Sequence, residues 1–190
     1  MPEKPVLRTE RLLLRPWRDD DLPAIVAMQA DPRVTEFLFR QLDRTGCEQM
    51  LKRIDEHYEQ HGFGWWAVEV VGVTPFAGLV GLLVPWFEAH FTPCVEIGWR
   101  LRAECWGKGY AVEAARACLK FAFDQLKLDE VVAFTVPVNV RSRRVMEQLN
   151  MVHSPADDFD HPAVEEGHAL RRHCLYRISK ERFASETPSA

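Results

Sequence analysis

The sequence predicts a single α/β domain with a central mixed sheet flanked by helices. Two observations carry that class. Residues 94–137 read as strand, amphipathic helix, strand, a βαβ unit whose strands run parallel. Upstream, two more runs rich in β-branched and aromatic residues lie at 65–72 and 76–86, each bounded by glycine or proline. Helical periodicities precede and follow these strands.

In chain order, VLRTERLLLRPW (6–17) reads as an opening strand that ends at a proline. In DDDLPAIVAMQAD, acidic residues suit a helix's first turn, and Leu22, Ile25, Val26 and Gln29 recur at helical spacing. A second helix is expected over 44–60, where Cys47, Leu51, Ile54 and Tyr58 repeat at steps of three and four until His61 and Gly62. WWAVEVVG, FAGLVGLLVPW and CVEIGWRL supply three strands. The next helix carries Ala111, Ala114, Cys118 and Phe121 on the side expected to pack, with Glu113, Arg116, Lys120 and Asp124 on the solvated side. EVVAFTVP (130–137) completes the βαβ unit, Asn139 opens a helix reaching Asn150, and LRRHCLYRIS (170–179) is a last strand.

The expected domain spans residues 1–179, with 180–190 a flexible tail. A chain of 190 residues can bury one sizeable core, whereas two independent domains would each be small. Hydrophobic residues at 47% and charged residues at 27% fit a globular chain rather than a disordered one. A net charge of −4 argues against a surface made for nucleic acid. FAGLVGLLVPWF falls short of the roughly 18–20 apolar residues of a membrane helix. Cys47, Cys94, Cys105, Cys118 and Cys174 form no CxxC pair, and MPEKPVLRTERLLL has charges where a signal peptide needs an apolar run; both point to a cytoplasmic protein with reduced thiols.

The stretch CWGKGYAVEAARACLKFAF (105–123) puts two glycines and a lysine directly before a helix, where uncovered amides bind phosphate well. A P-loop needs serine or threonine after the lysine, but Gly109 stands there. A dinucleotide fingerprint starting at Gly107 needs a small residue where the chain has Val112. What remains is a turn whose amides can wrap a pyrophosphate.

EIGWRLRAECWGKGYAVEA (96–114) and PVNVRSRRVMEQLNM (137–151) resemble the GNAT superfamily of acyl-CoA-dependent N-acyltransferases, in the branch of the ribosomal-protein N-terminal alanine acetyltransferases. The resemblance extends from TERLLLRPWRDDDL to HCLYRI. It implies that Trp106, Gly107, Lys108, Gly109, Tyr110 and Ala111 hold the CoA pyrophosphate through backbone amides, with Trp106 where many members have glutamine or arginine. It also implies that the backbone of Trp99 and Leu101 pairs with the pantetheine arm.

Acetyl transfer needs a neutral amine, a path for its proton and help for the departing thiolate. Glu96, a carboxylate in mid-strand, stands where several members of the family have a general base. It could instead face solvent or pair with Arg100, two positions along the same face. Asn139 is a good N-cap and Ser142 lies in the helix's first turn. By resemblance, Asn139 also hydrogen-bonds near the pantetheine and Ser142 donates a proton to the thiolate. Many members place a tyrosine where this chain has Met146, and a thioether cannot donate. Lys108, Arg141, Arg143 and Arg144 could face the 3′-phosphate or form a solvated helix face, with Lys108 and Arg144 the ones expected at the cofactor. Cys105 borders the turn, but no neighbouring histidine would activate it as a nucleophile.

Four histidines among carboxylates in segment 153–173 match no zinc spacing and are expected to border the acceptor cleft, with no metal. Phe63, Trp65, Trp66, Trp86 and Phe87 could line an apolar acceptor site or pack the core. The expectation is therefore an acetyl-CoA-dependent N-acetyltransferase, a monomer or homodimer. It would act directly on a primary amine, either a peptide N-terminus or a small molecule. The alternative is a non-catalytic CoA-binding module.

Overall fold

The opening segment folds back on itself instead of running straight. In the computed structural model, which describes residues 4–185, it forms β1 (Leu7–Arg8) and β2 (Leu12–Arg15), antiparallel with Leu7 opposite Leu14. Thr9 N–H closes the reversal onto Leu12 O at 3.0 Å. Glu113 holds it from outside, its carboxylate accepting from Thr9 Oγ1 (2.6 Å), Arg11 N–H (2.9 Å) and Arg11 Nε (2.6 Å). Glu113 is therefore a structural anchor rather than part of a solvated face.

The chain divides into two compact units. The first comprises the residues up to Leu83 together with Gly98–Cys118. After β2 it contains α1 (Leu22–Ala30), α2 (Pro32–Thr35), α3 (Arg44–His61), and the antiparallel pair β3 (Trp65–Val70) and β4 (Thr74–Leu83). The second half of β5 (Glu96–Leu101) and the start of α4 (Tyr110–Asp124) complete it. Its strand order is β1-β2-β3-β4-β5. In α3 the expected stripe of Cys47, Leu51, Ile54 and Tyr58 is buried. Asp43 caps its start by accepting from Gly46 N–H at 2.7 Å, and Gly62, at φ 76°, ends it in the left-handed region that favours glycine.

The second unit comprises Val84–Ile97 and the residues from Leu119 onward. Here the first half of β5 runs parallel to β6 (Glu130–Thr135), with Glu96 opposite Val132, as the βαβ reading expects. β6 pairs antiparallel with β9 (Arg172–Ser179), which also takes β7 (Val152–His153) and β8 (Phe159–Asp160). Phe87, Phe91, Val132, Phe159 and Leu175 form its core. α5 (Val140–Gln148) follows its Asn139 cap, and α6 (Lys180–Ala184) occupies the start of the expected tail, whose residues 186–190 lie outside those described.

The packed stripe of α4 is rotated from expectation: Ala114, Ala115, Cys118, Leu119, Ala122 and Phe123 are buried, while Ala111 and Phe121 are only half-buried. No helix among the described residues is long and apolar enough to cross a membrane.

Candidate active site

The first unit supplies an anion cradle. A short 3-10 turn at Ala103–Cys105 leads into Trp106, whose indole N–H donates to Leu101 O at 2.9 Å and fixes the chain before the glycines. Gly107 and Gly109 have φ of 71° and 79°, a conformation that costs other residues roughly 1–2 kcal/mol. The consequence is a run of unbonded donors. Among the described residues, the amides of Gly107, Lys108, Gly109, Tyr110, Ala111 and Val112 find no acceptor in the protein, and the first helical bond of the turn is Glu113 N–H to Gly109 O at 3.0 Å. Arg11 braces the loop by donating to Lys108 O at 3.0 Å and lying 4.9 Å from the Tyr110 ring centre. Successive unbonded amides at the positive end of a fifteen-residue helix fit a pyrophosphate. Lys108 is exposed beside them.

The second unit holds Glu96. Among the described residues its carboxylate has neither hydrogen bond nor ion pair, so the expected alternative of a pair with Arg100 is not formed. Glu96 keeps some accessible surface, yet enough protein surrounds it that burial pushes its carboxyl up to about 8. Burial, and then the nearby Glu96, raise the Cys94 thiol to about 11.

Asn139 works first as a cap. Its Oδ1 accepts from Ser142 N–H at 3.2 Å and its Nδ2 donates to Thr135 Oγ1 at 3.0 Å. Ser142 is half-buried, and its hydroxyl makes no hydrogen bond among the described residues. Arg143 is committed to Tyr176 Oη (3.2 Å) and Pro137 O (3.2 Å), whereas Arg144 is exposed. Met146 is buried in the helix's packed face. Trp99 is half-buried and Leu101 buried at the end of β5.

The histidine-rich segment differs from expectation. His161 and His173 are buried with ring centres 5.1 Å apart, packed among Phe87, Phe134 and Phe159. Burial drives His161 down to about 4 and lowers His173 as well, so both are neutral core side chains. His153 contacts Asp158 at 2.7 Å and stacks on Tyr176. Cys105 is buried and burial raises its thiol, which agrees with a non-nucleophilic role. Of the aromatic candidates, Phe63, Trp66 and Phe87 are core, and Trp86 is 80% exposed. Trp65 alone combines partial exposure with a buried indole N–H that has no partner. Arg100 went unassigned at the sequence level except as a partner for Glu96. Its signal, a cation in an apolar strand, gains meaning only once the fold leaves it unpaired.

Comparison with known proteins agrees with this geometry. An acetyltransferase (GNAT) domain model matches residues 11–152. An FsC-acetyl coenzyme A-N(2)-transacetylase of Aspergillus fumigatus is 30% identical over 95% of this chain and 78% of its own. A GNAT-family acetyltransferase from Bacillus anthracis superposes with a TM-score of 0.76 at 24% identity, covering 93% of this chain and 99% of the other. An acetyltransferase from Agrobacterium tumefaciens gives 0.74 at 27% identity, covering 93% and 95%.

Proposed function

Because the chain belongs to the GNAT family of acetyl-CoA-dependent acetyltransferases, we propose that it transfers the acetyl group directly to a primary α-amine, on a peptide N-terminus or a small molecule. The observation that carries this reading is the unpaired Glu96 carboxyl, raised to about 8. An α-amine titrates at about 7.7–8.0, so proton transfer to such a base is nearly balanced, whereas a lysine-type amine near 10.4 holds its proton too firmly.

Bound acetyl-CoA supplies the thioester. The amides of Gly107, Lys108, Gly109, Tyr110 and Ala111 hold the pyrophosphate, whereas the Trp106 amide, expected among them, is already bonded to Ala103 O at 3.2 Å; the backbone of Trp99 and Leu101 aligns the pantetheine arm, and Arg144 and Lys108 meet phosphate charge. Asn139 keeps Ser142 at the start of α5. Glu96 takes the ammonium proton, directly or through water. The amine nitrogen then bonds to the acetyl carbon as the carbon–sulfur bond breaks; the Ser142 hydroxyl gives its proton to the departing thiolate and is reprotonated by the one the new amide nitrogen sheds.

CoA release from acetyl-CoA, followed with N-terminal peptides, lysine peptides, amino acids and polyamines, tests the reading. Selective release with α-amines is expected. Release with lysine peptides alone overturns the α-amine assignment. No release beside tight acetyl-CoA binding leaves the binding-module alternative.

A further inference from the structure

We propose that Arg100 and Trp65 anchor a carboxylate, so that the acceptor is an amine carrying a carboxylate group of its own. The inference rests on the acceptor reading above and narrows its substrate class. Gly98 and Arg100 are same-face neighbours on β5, about 7 Å apart along the strand. A Cβ at Gly98 would fall 2.9 Å from Trp65 Cζ2, so the indole lies over the strand where a side chain would otherwise stand. Glycine is what admits it.

This places a guanidinium and an indole N–H on one stretch of strand. The indole N–H is buried with no acceptor, and among the described residues the guanidinium has no hydrogen-bond or ion-pair partner. The one titratable neighbour that acts on Arg100 is the buried Cys47 thiol, itself raised by burial and therefore neutral. Burial lowers Arg100 only to about 10, so it stays cationic at neutral pH. Unmet donors crowded by protein carry a desolvation penalty that a matching acceptor removes. A planar fork and an N–H drawn to the same face of one strand suit the two oxygens of a carboxylate. Phosphate already has its cradle at the glycine turn. A polyamine acceptor would meet a like charge at Arg100.

The test titrates the full chain, with isotopically labelled tryptophan, against sodium propionate, propionamide and inorganic phosphate, following the Trp65 indole N–H by NMR. Trp65→Phe identifies the signal. Propionate is expected to move it saturably, with propionamide and phosphate at least about tenfold weaker. Arg100→Gln should abolish the response, and Arg100→Lys, which keeps the charge without the fork, should retain part of it. An equal response to propionamide or phosphate, no response to propionate, or a response that survives Arg100→Gln overturns the anchor. Because this readout needs no turnover, its failure is separate from failure of the α-amine reading, which the CoA-release assay decides. In turnover, free-acid acceptors should surpass their amides at least about tenfold, and Arg100→Gln should erase the difference through KM rather than kcat.

Discussion

The first unit contains two arginines crowded by protein, and they differ in every respect that matters. Arg15 is 3% exposed, and all five of its N–H donors are matched within its own unit. Nη1 and Nη2 fork onto Asp21 at 2.7 and 2.8 Å, further donations reach Pro16 O and Pro75 O, and Nε meets Glu69 at 3.3 Å. Donation to Asp21 leads the causes that raise its pKa, whereas burial lowers that of Arg100. The chain completes one cation and leaves the other open. A cation that the fold satisfies is framework; one that it surrounds but does not satisfy is open to a ligand.

The comparison breaks most easily at Asp21. Asp21→Ala removes the buried partner of the Arg15 fork, leaving two N–H donors unmet and only the longer contact to Glu69 at 3.3 Å to offset the charge, and should cost about 3–5 kcal/mol in urea unfolding. Replacing both members, Arg15→Met with Asp21→Leu, should recover most of that loss. A cost below about 1 kcal/mol for Asp21→Ala would put Arg15 in the same class as Arg100 and remove the contrast.

The next largest effect is chemical. Glu96→Gln should lower kcat/KM by about a hundredfold or more at neutral pH. In the parent enzyme kcat/KM should rise with pH and level off above about 8, since the base acts only when ionised. An unchanged profile in the variant would reassign the proton to ordered water. Gly107→Ala should follow, weakening acetyl-CoA binding by about tenfold in calorimetry as the left-handed turn is strained by roughly 1–2 kcal/mol.

What the sequence revealed depended on how far the deciding contact lay along the chain. The α3 stripe, its end at Gly62 and the parallel β5–β6 pair follow from local periodicity and turn chemistry, and all are present. The glycine turn was legible for the same reason: its chemistry is its own backbone. The break between β1 and β2 was not, because Glu113, over 100 residues away, holds the reversal. Asp21 reads locally as a helix-start carboxylate and becomes the partner of a buried arginine only when the chain turns back. β7 and β8, two residues each, are too short for any alternation to register. His161 and His173 look functional in a polar string, yet two of the rings that bury them, Phe87 and Phe134, lie outside that segment.

The smallest effect is the most discriminating for the contrast between the arginines. Arg100→Gln should leave thermal stability unchanged or raise Tm by up to about 4 °C. The sign follows from protonation. Burial sets the folded pKa of Arg100, about 10, below the ordinary arginine value, so the folded state binds the proton less well than the unfolded state. The stability this shift contributes is present only above the unfolded pKa and is lost as pH falls through about 10. At neutral pH the charge is therefore carried at a loss, which glutamine, similar in length and neutral, relieves. Asp21→Ala should lower Tm in the same buffer. If Arg100→Gln lowered it equally, Arg100 would be a framework residue with partners in its own chain, and the open cation would have no claim on a ligand.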